Sequence, residues 1–355
     1  MILSTCYRYF LGSTIGMLLL SGGPVASASD KASTVHLYNW EAFLSEEVVR
    51  NIETEHHLHI KETYFSDESV RDELLLSKRR NSIDLVVIES VRLNMLANQG
   101  VMQPLTEIRA ELKSRFDNRW FEQCGDYGVP YAWGTSGLLY RKSAFEKPVD
   151  TWLQLIEPQE QLRGRVSMYY HPVDLIGAAL LAHNKDPFSD DNYDLKLAYQ
   201  ALKKQRPYLN STDYVLDAVD DASLLESTDL AFGFSGDEYV LNEFNTNPDG
   251  EWQYVVPKEG TFVWVECLAV PSGIITKPQT KQAIDYLTRP DVAAKNAQDA
   301  WFSTPNSNIE RYLDKEYLSD PVINPSPELI EKSYAYREVG DYGLSIRQRI
   351  VKDLK

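Results

Sequence analysis

Asp84-Leu85-Val86-Val87-Ile88, followed at once by Glu89-Ser90, decides the fold. An unbroken apolar run of this length suits a strand buried on both faces of a parallel sheet. Leu93, Met95 and Leu96 start a helix after it. Before it, Val70, Leu74 and Leu75 mark a helix that ends in the basic Lys78-Arg79-Arg80. Further back, the stretch from His59 to Phe65 reads as a strand. Val48, Val49 and Ile52 form one helical face, with Ser45 as N-cap and Glu46 and Glu47 in the favourable first turn. Val35-His36-Leu37-Tyr38 is the first strand. This βαβαβ order predicts a doubly wound α/β lobe. Ligands in such sheets bind beyond the carboxyl ends of the strands. That singles out Trp40 and Glu41 after the first strand, and Glu89 and Ser90 after the third.

A second α/β pattern follows. Strands are expected at Val166-Ser167-Met168, at Leu230 to Phe234, at Trp252 to Val256 and along Phe262 to Pro271. Helices are expected from Asp174 to Ala182, Tyr193 to Lys204, Asp237 to Phe244 and Asp341 to Leu354, and from Thr280 to Ala300 with a break at Pro290. Gly134-Thr135-Ser136-Gly137 reads as a turn into a second lobe. Two α/β lobes without a linker imply several crossovers between them.

The first residues carry one charge, Arg8, before Asp30; an apolar stretch from Phe10 to Leu20 precedes Gly22, Gly23 and Pro24, then Ala26-Ser27-Ala28. That is the pattern of a signal peptide cleaved near Ala28, with an apolar region short for a membrane anchor. The expected location is the periplasm. A chain of 355 residues suits two domains. The formal net charge of −16 disfavours nucleic acid and anionic membranes as partners and suits a cationic ligand. Beyond the leader only Cys124 and Cys267 remain, as one disulfide or two free thiols. His56, His57 and His59 sit together without nearby cysteines, as in a solvated loop, and no metal site or cofactor motif stands out. No nucleophile elbow or phosphate loop is present, so the expectation is a non-enzyme.

Several blocks resemble the bacterial periplasmic spermidine/putrescine-binding proteins, a family that includes norspermidine- and spermidine-sensing relatives. They are Tyr38-Asn39-Trp40, Asp84-Leu85-Val86-Val87, and Val129-Pro130-Tyr131-Ala132-Trp133-Gly134-Thr135. Further along stand Pro257-Lys258-Glu259-Gly260 with Trp264 and Glu266, Leu287-Thr288-Arg289-Pro290-Asp291-Val292-Ala293, and Ser303-Thr304-Pro305-Asn306. The resemblance implies a type II periplasmic-binding-protein fold with lobe 1 at 29–135 plus 268–308, lobe 2 at 136–267 plus 309–355, and a hinge between. The resemblance implies a monomeric binding protein with no cofactor, a polyamine ligand and a membrane partner. That partner is either an ABC permease or a signalling receptor that makes or degrades cyclic di-GMP.

A polyamine needs flat apolar walls for its methylenes and carboxylates or aromatic faces for its ammonium groups. Matching family positions give Trp40, Phe43, Phe234, Trp264 and Phe302 as walls, and Glu266 as the acid that pairs with an ammonium. The acids otherwise depart from the family pattern. Glu41-Ala42 replaces a hydroxyl residue followed by an acid, Glu89 replaces a serine, and His171 with Asp174 replaces an acid pair. His171 reads either as a neutral acceptor or as a space-filler. Tyr336 matches a late polar position, and Asp237 reads as a helix cap. The acids suit a triamine such as spermidine or norspermidine.

Overall fold

The structure is a computed structural model that describes residues 33–65, 67–245, 250–273 and 276–355. The expected signal peptide lies outside the described residues.

The first half follows the predicted alternation. Strand β1 (Ser33–Asn39) leads to helix α1 (Glu46–His56), β2 (Leu58–Tyr64), helix α2 (Glu68–Leu76), β3 (Leu85–Glu89) and helix α3 (Ser90–Asn98). Ser45 caps α1, accepting from Val48 N, and the helix buries Val48 and Ile52. Its C-cap is His57 in the left-handed region (φ 51°), and His59 lies within β2, not in a loop. The run at 85–88 is fully enclosed, with Leu85, Val86, Val87 and Ile88 each at most 1% exposed.

Strands β4 (Gly128–Arg141), β5 (Val166–Ser167), β6 (Leu209–Ser211), β7 (Leu230–Phe234), β8 (Trp252–Val255), β9 (Phe262–Ala269) and β10 (Tyr334–Ala335) complete the sheet. The order is β2-β1-β3-β9-β4-β7-β5-β6, with β10 on β9 and β8 on β4. Both flanks, β2-β1-β3 and β7-β5-β6, are parallel, whereas β3-β9, β9-β4 and β4-β7 are antiparallel. Strands β4 and β9 thus run through the middle. The first half of β4, Gly128–Thr135, pairs with β9, and the next residues, Ser136–Tyr140, pair with β7.

This corrects the reading of Gly134-Thr135-Ser136-Gly137, which lies inside β4 and not in a turn. The glycines serve close packing. A Cβ at Gly134 would penetrate the Trp264 ring and lie 2.5 Å from Ser235 Oγ; at Gly137 it would lie 2.5 Å from Val255 O. Glycine in a strand interior marks such an approach. Cys124, at the end of the helix Asn118–Gln123, is bonded to Cys267 of β9, with Cα atoms 5.9 Å apart. The bond fastens β9 to the end of that helix, one residue past Glu266.

A second apolar core encloses Trp152, Leu175, Ile176 and Phe232, and the C-terminal helix Asp341–Leu354 closes it with Ile350, Val351 and Leu354. No helix of the described residues is long and apolar enough to cross a membrane.

Candidate functional site

The register of β3 against β9 places Glu89 directly opposite Glu266. Like charges at opposed positions of an antiparallel pair are destabilising. Neither carboxylate forms an ion pair among the described residues. Glu89 is the N-cap of α3: its oxygens accept from Val91 N (2.9 Å), Arg92 N (3.0 Å) and Ser90 Oγ (3.0 Å). Burial raises its pKa, and those hydrogen bonds counter the rise. The side chain of Ser90 is buried and donates to Glu89 within this cap.

Glu266 is more isolated. Only 7% of it is exposed, Oε1 accepts from Trp40 Nε1 at 3.4 Å, and Oε2 has no hydrogen-bond partner among the described residues. Burial pushes its pKa up to about 8; Arg71 opposes this, Glu89 and Glu68 reinforce it, and the Trp40 N–H opposes it weakly. A buried acid without a counter-ion favours its neutral form until a cation arrives.

The walls follow from the strand ends. Trp40 leaves β1 half-buried, its ring 4.3 Å from that of Phe65. Trp264 precedes Glu266 by two residues on β9, hence on the same face, and its ring lies over the bare backbone of Gly134. Phe43 packs against Phe302 at 4.9 Å, and both against Tyr131. Phe302 is only 5% exposed, so it supports Phe43 from within the core.

The opposite side is built on the N-terminus of the helix Pro172–Ala182. His171 Nδ1 lies 2.6 Å from Asp174 Oδ2, close enough for an ion pair though not aligned as a hydrogen bond. Burial lowers the His171 pKa, but Asp174 and Glu68 more than offset it, so the net shift is upward. Asp174, itself buried, accepts from the Tyr336 hydroxyl, which also stands 3.2 Å from Ser136 Oγ. His171 stacks on Tyr169 at 5.7 Å; Tyr169 meets Tyr214, and Tyr214 meets Phe234, each at 5.7 Å. Asp237 ties this wall: its carboxylate accepts from Phe234 N (2.7 Å) and the Tyr214 hydroxyl (2.6 Å). It is the first residue of the helix Asp237–Glu243, whose N-cap is Gly236, so it locks the turn without being the cap itself. Burial lifts its pKa to about 7.

Fields cross between the two sides. Glu89 acts on Tyr336, and Glu68 acts on Glu89, Glu266, Tyr169 and His171. Glu41 stands apart, exposed in the turn after β1 and near Tyr64. The sequence reading missed Glu68, Arg71, Tyr169 and Tyr214. Arg71 left a trace: it falls four residues before Leu75, on the buried face of α2. Among the described residues no cluster of His, Cys, Asp and Glu is arranged to hold a metal ion.

The family profile for bacterial extracellular solute-binding proteins matches residues 47–325. The chain belongs to that family. It is 29% identical over 91% of its length to the norspermidine sensor of Vibrio cholerae serotype O1, covering 89% of that protein. It is 26% identical to the spermidine/putrescine-binding periplasmic protein of Escherichia coli strain K12, over 90% of this chain and 91% of the relative. In three dimensions it resembles a spermidine/putrescine ABC transporter substrate-binding protein of Streptococcus pneumoniae, with a TM-score of 0.80, 18% identity, and coverage of 91% of this chain and 98% of that one. The last comparison establishes the periplasmic-binding-protein fold of this solute-binding protein.

Proposed function

We propose that this solute-binding protein captures a linear polyamine of the spermidine or norspermidine type in the periplasm. The observation that carries the reading is Glu266: a buried carboxylate with one free oxygen, opposite a second, half-buried acid and beside Trp40 and Trp264. An ammonium group supplies the missing charge, and the indole faces hold it and the methylenes. Asp174, His171 and Tyr336 receive the far end. Trp40, Phe43, Trp264 and Phe234 serve as walls in this reading, with Phe302 backing Phe43 from the core and Glu89 and Ser90 shaping the acid end. The polyamine-binding relatives support it.

In this reading the lobes divide at 29–135 plus 268–308 and at 136–267 plus 309–355, and β4 and β9 form the hinge on which they close. The closed form is presented to a membrane partner. A signalling receptor is one reading, favoured by the 29% identity to a norspermidine sensor; a permease is the other, supported by the 26% identity to a periplasmic binding protein. Titration calorimetry of residues 29–355 against a diamine, two triamines and a tetramine tests the binding. A triamine should bind most tightly; no heat and no thermal shift with any of them would end the proposal.

A further inference from the structure

Arg71 is the largest charged side chain fully enclosed beside the site, with 0% exposure. It sits on the buried face of α2 with Leu75. Its compensation is thin. Nε and Nη2 both donate to one oxygen of Asp72, at 3.2 Å, and Asp72 also holds Arg92 at 2.6 Å. One carboxylate therefore serves two guanidinium groups, and Arg71 Nη1 has no hydrogen-bond partner among the described residues. Arg347, the other fully buried arginine within reach of the site acids, is held by backbone rather than by a carboxylate: its two Nη atoms donate to the carbonyls of Val173, Pro187 and Ser189, and its Nε, like Arg71 Nη1, has no partner among the described residues.

The surplus charge of Arg71 points toward the acid end of the cleft. Its guanidinium lies 5.5 Å from the Phe65 ring, Phe65 lies 4.3 Å from Trp40, and Trp40 donates to Glu266. Its field is felt at both Glu266 and Tyr38, although no ion pair joins it to Glu266. A fixed positive charge in this place partly offsets the acids and repels a second ammonium brought near it.

We propose that Arg71 is a resident cation of the cleft that limits how many ammonium groups a ligand places beside Glu266, and so sets specificity by ligand charge. The proposal rests on the polyamine reading. It makes Arg71 a specificity-determining residue that acts through its field, without touching the ligand. Methionine in its place keeps a long stem against Phe65 and removes the charge; lysine keeps the charge.

The test is calorimetry on wild type, Arg71→Met and Arg71→Lys with 1,4-diaminobutane, spermidine and spermine at one salt concentration. Arg71→Met should raise spermine affinity relative to spermidine by about tenfold or more, and Arg71→Lys should keep the wild-type ratio within about threefold. Equal ratios in wild type and Arg71→Met would overturn the proposal, because a purely structural role changes affinity without reordering ligands by charge. If Arg71→Met does not fold, Asp72→Asn decides: it strips compensation from Arg71, so the spermine-to-spermidine ratio must fall, and an unchanged or higher ratio overturns the proposal. Absence of binding by wild type would instead remove the polyamine reading itself.

Discussion

Binding should release a proton, and Glu266 sets the amount. With a pKa of about 8 in the ligand-free protein, the Glu266 carboxyl is ionised in about 1% of molecules at pH 6, about 10% at pH 7 and half at pH 8. An ammonium selects the ionised form. Affinity should therefore rise about tenfold from pH 6 to 7 and about fivefold more to pH 8. Over this range the ligand amines stay largely protonated. Calorimetry in two buffers of different ionisation enthalpy counts the proton, expected to be close to one per ligand at pH 7. Glu266→Gln should weaken binding by about 30-fold or more and abolish most of the pH dependence. What remains belongs to His171, whose protonated ring competes with the ligand for Asp174 and so acts in the same direction. Stability runs oppositely. The Glu266 pKa is raised on folding from 4.5 to about 8, so its contribution is full below 4.5 and is lost as pH rises through 8. Ligand-free Glu266→Gln should thus melt above wild type at pH 8.5, with a smaller difference at pH 6. A flat affinity between pH 6 and 8, together with no buffer-dependent heat, would refute the reasoning.

Three further outcomes are expected. Gly134→Ala drives a methyl group into the Trp264 ring and toward Ser235; overpacking of this kind costs about 1–3 kcal/mol, measurable by urea titration, and should alter tryptophan fluorescence. Replacing both Cys124 and Cys267 by serine opens a loop of sequence separation 143 and should cost about 2–5 kcal/mol in unfolding titrations, with wild type matching the variant under reductant. Trp40→Ala removes a wall and the donor to Glu266, and calorimetry should show binding about 10- to 100-fold weaker, whereas Trp40→Phe should recover part of the loss.

The local elements were legible because each rests on short-range physics. The run at 85–88 has no polar position for a solvated face, and Ser45 with Glu46 and Glu47 carries the chemistry of a helix start. Trp40 and Glu89 were reachable because ligands collect at strand ends. Glu266 came through the family resemblance, not through its neighbours along the chain. The turn assigned at 134–137 failed for a physical reason. Glycines signal turns locally, yet here they admit the rings of Trp264 and Tyr254, which lie more than a hundred residues away.

The sequence by itself determined that α/β elements alternate, that apolar strands are enclosed, and that aromatic and acidic residues gather at strand ends. Periodicity, capping and composition act within a few residues and need no fold. The tertiary structure alone decided that Glu89 faces Glu266 across β3 and β9, that Cys124 reaches Cys267, and that Arg71 stands behind the acid end. Those pairings depend on strand register and on burial. The same carboxylate that is an ordinary strand residue in the sequence becomes, once enclosed opposite another acid, a group that burial holds toward its neutral form.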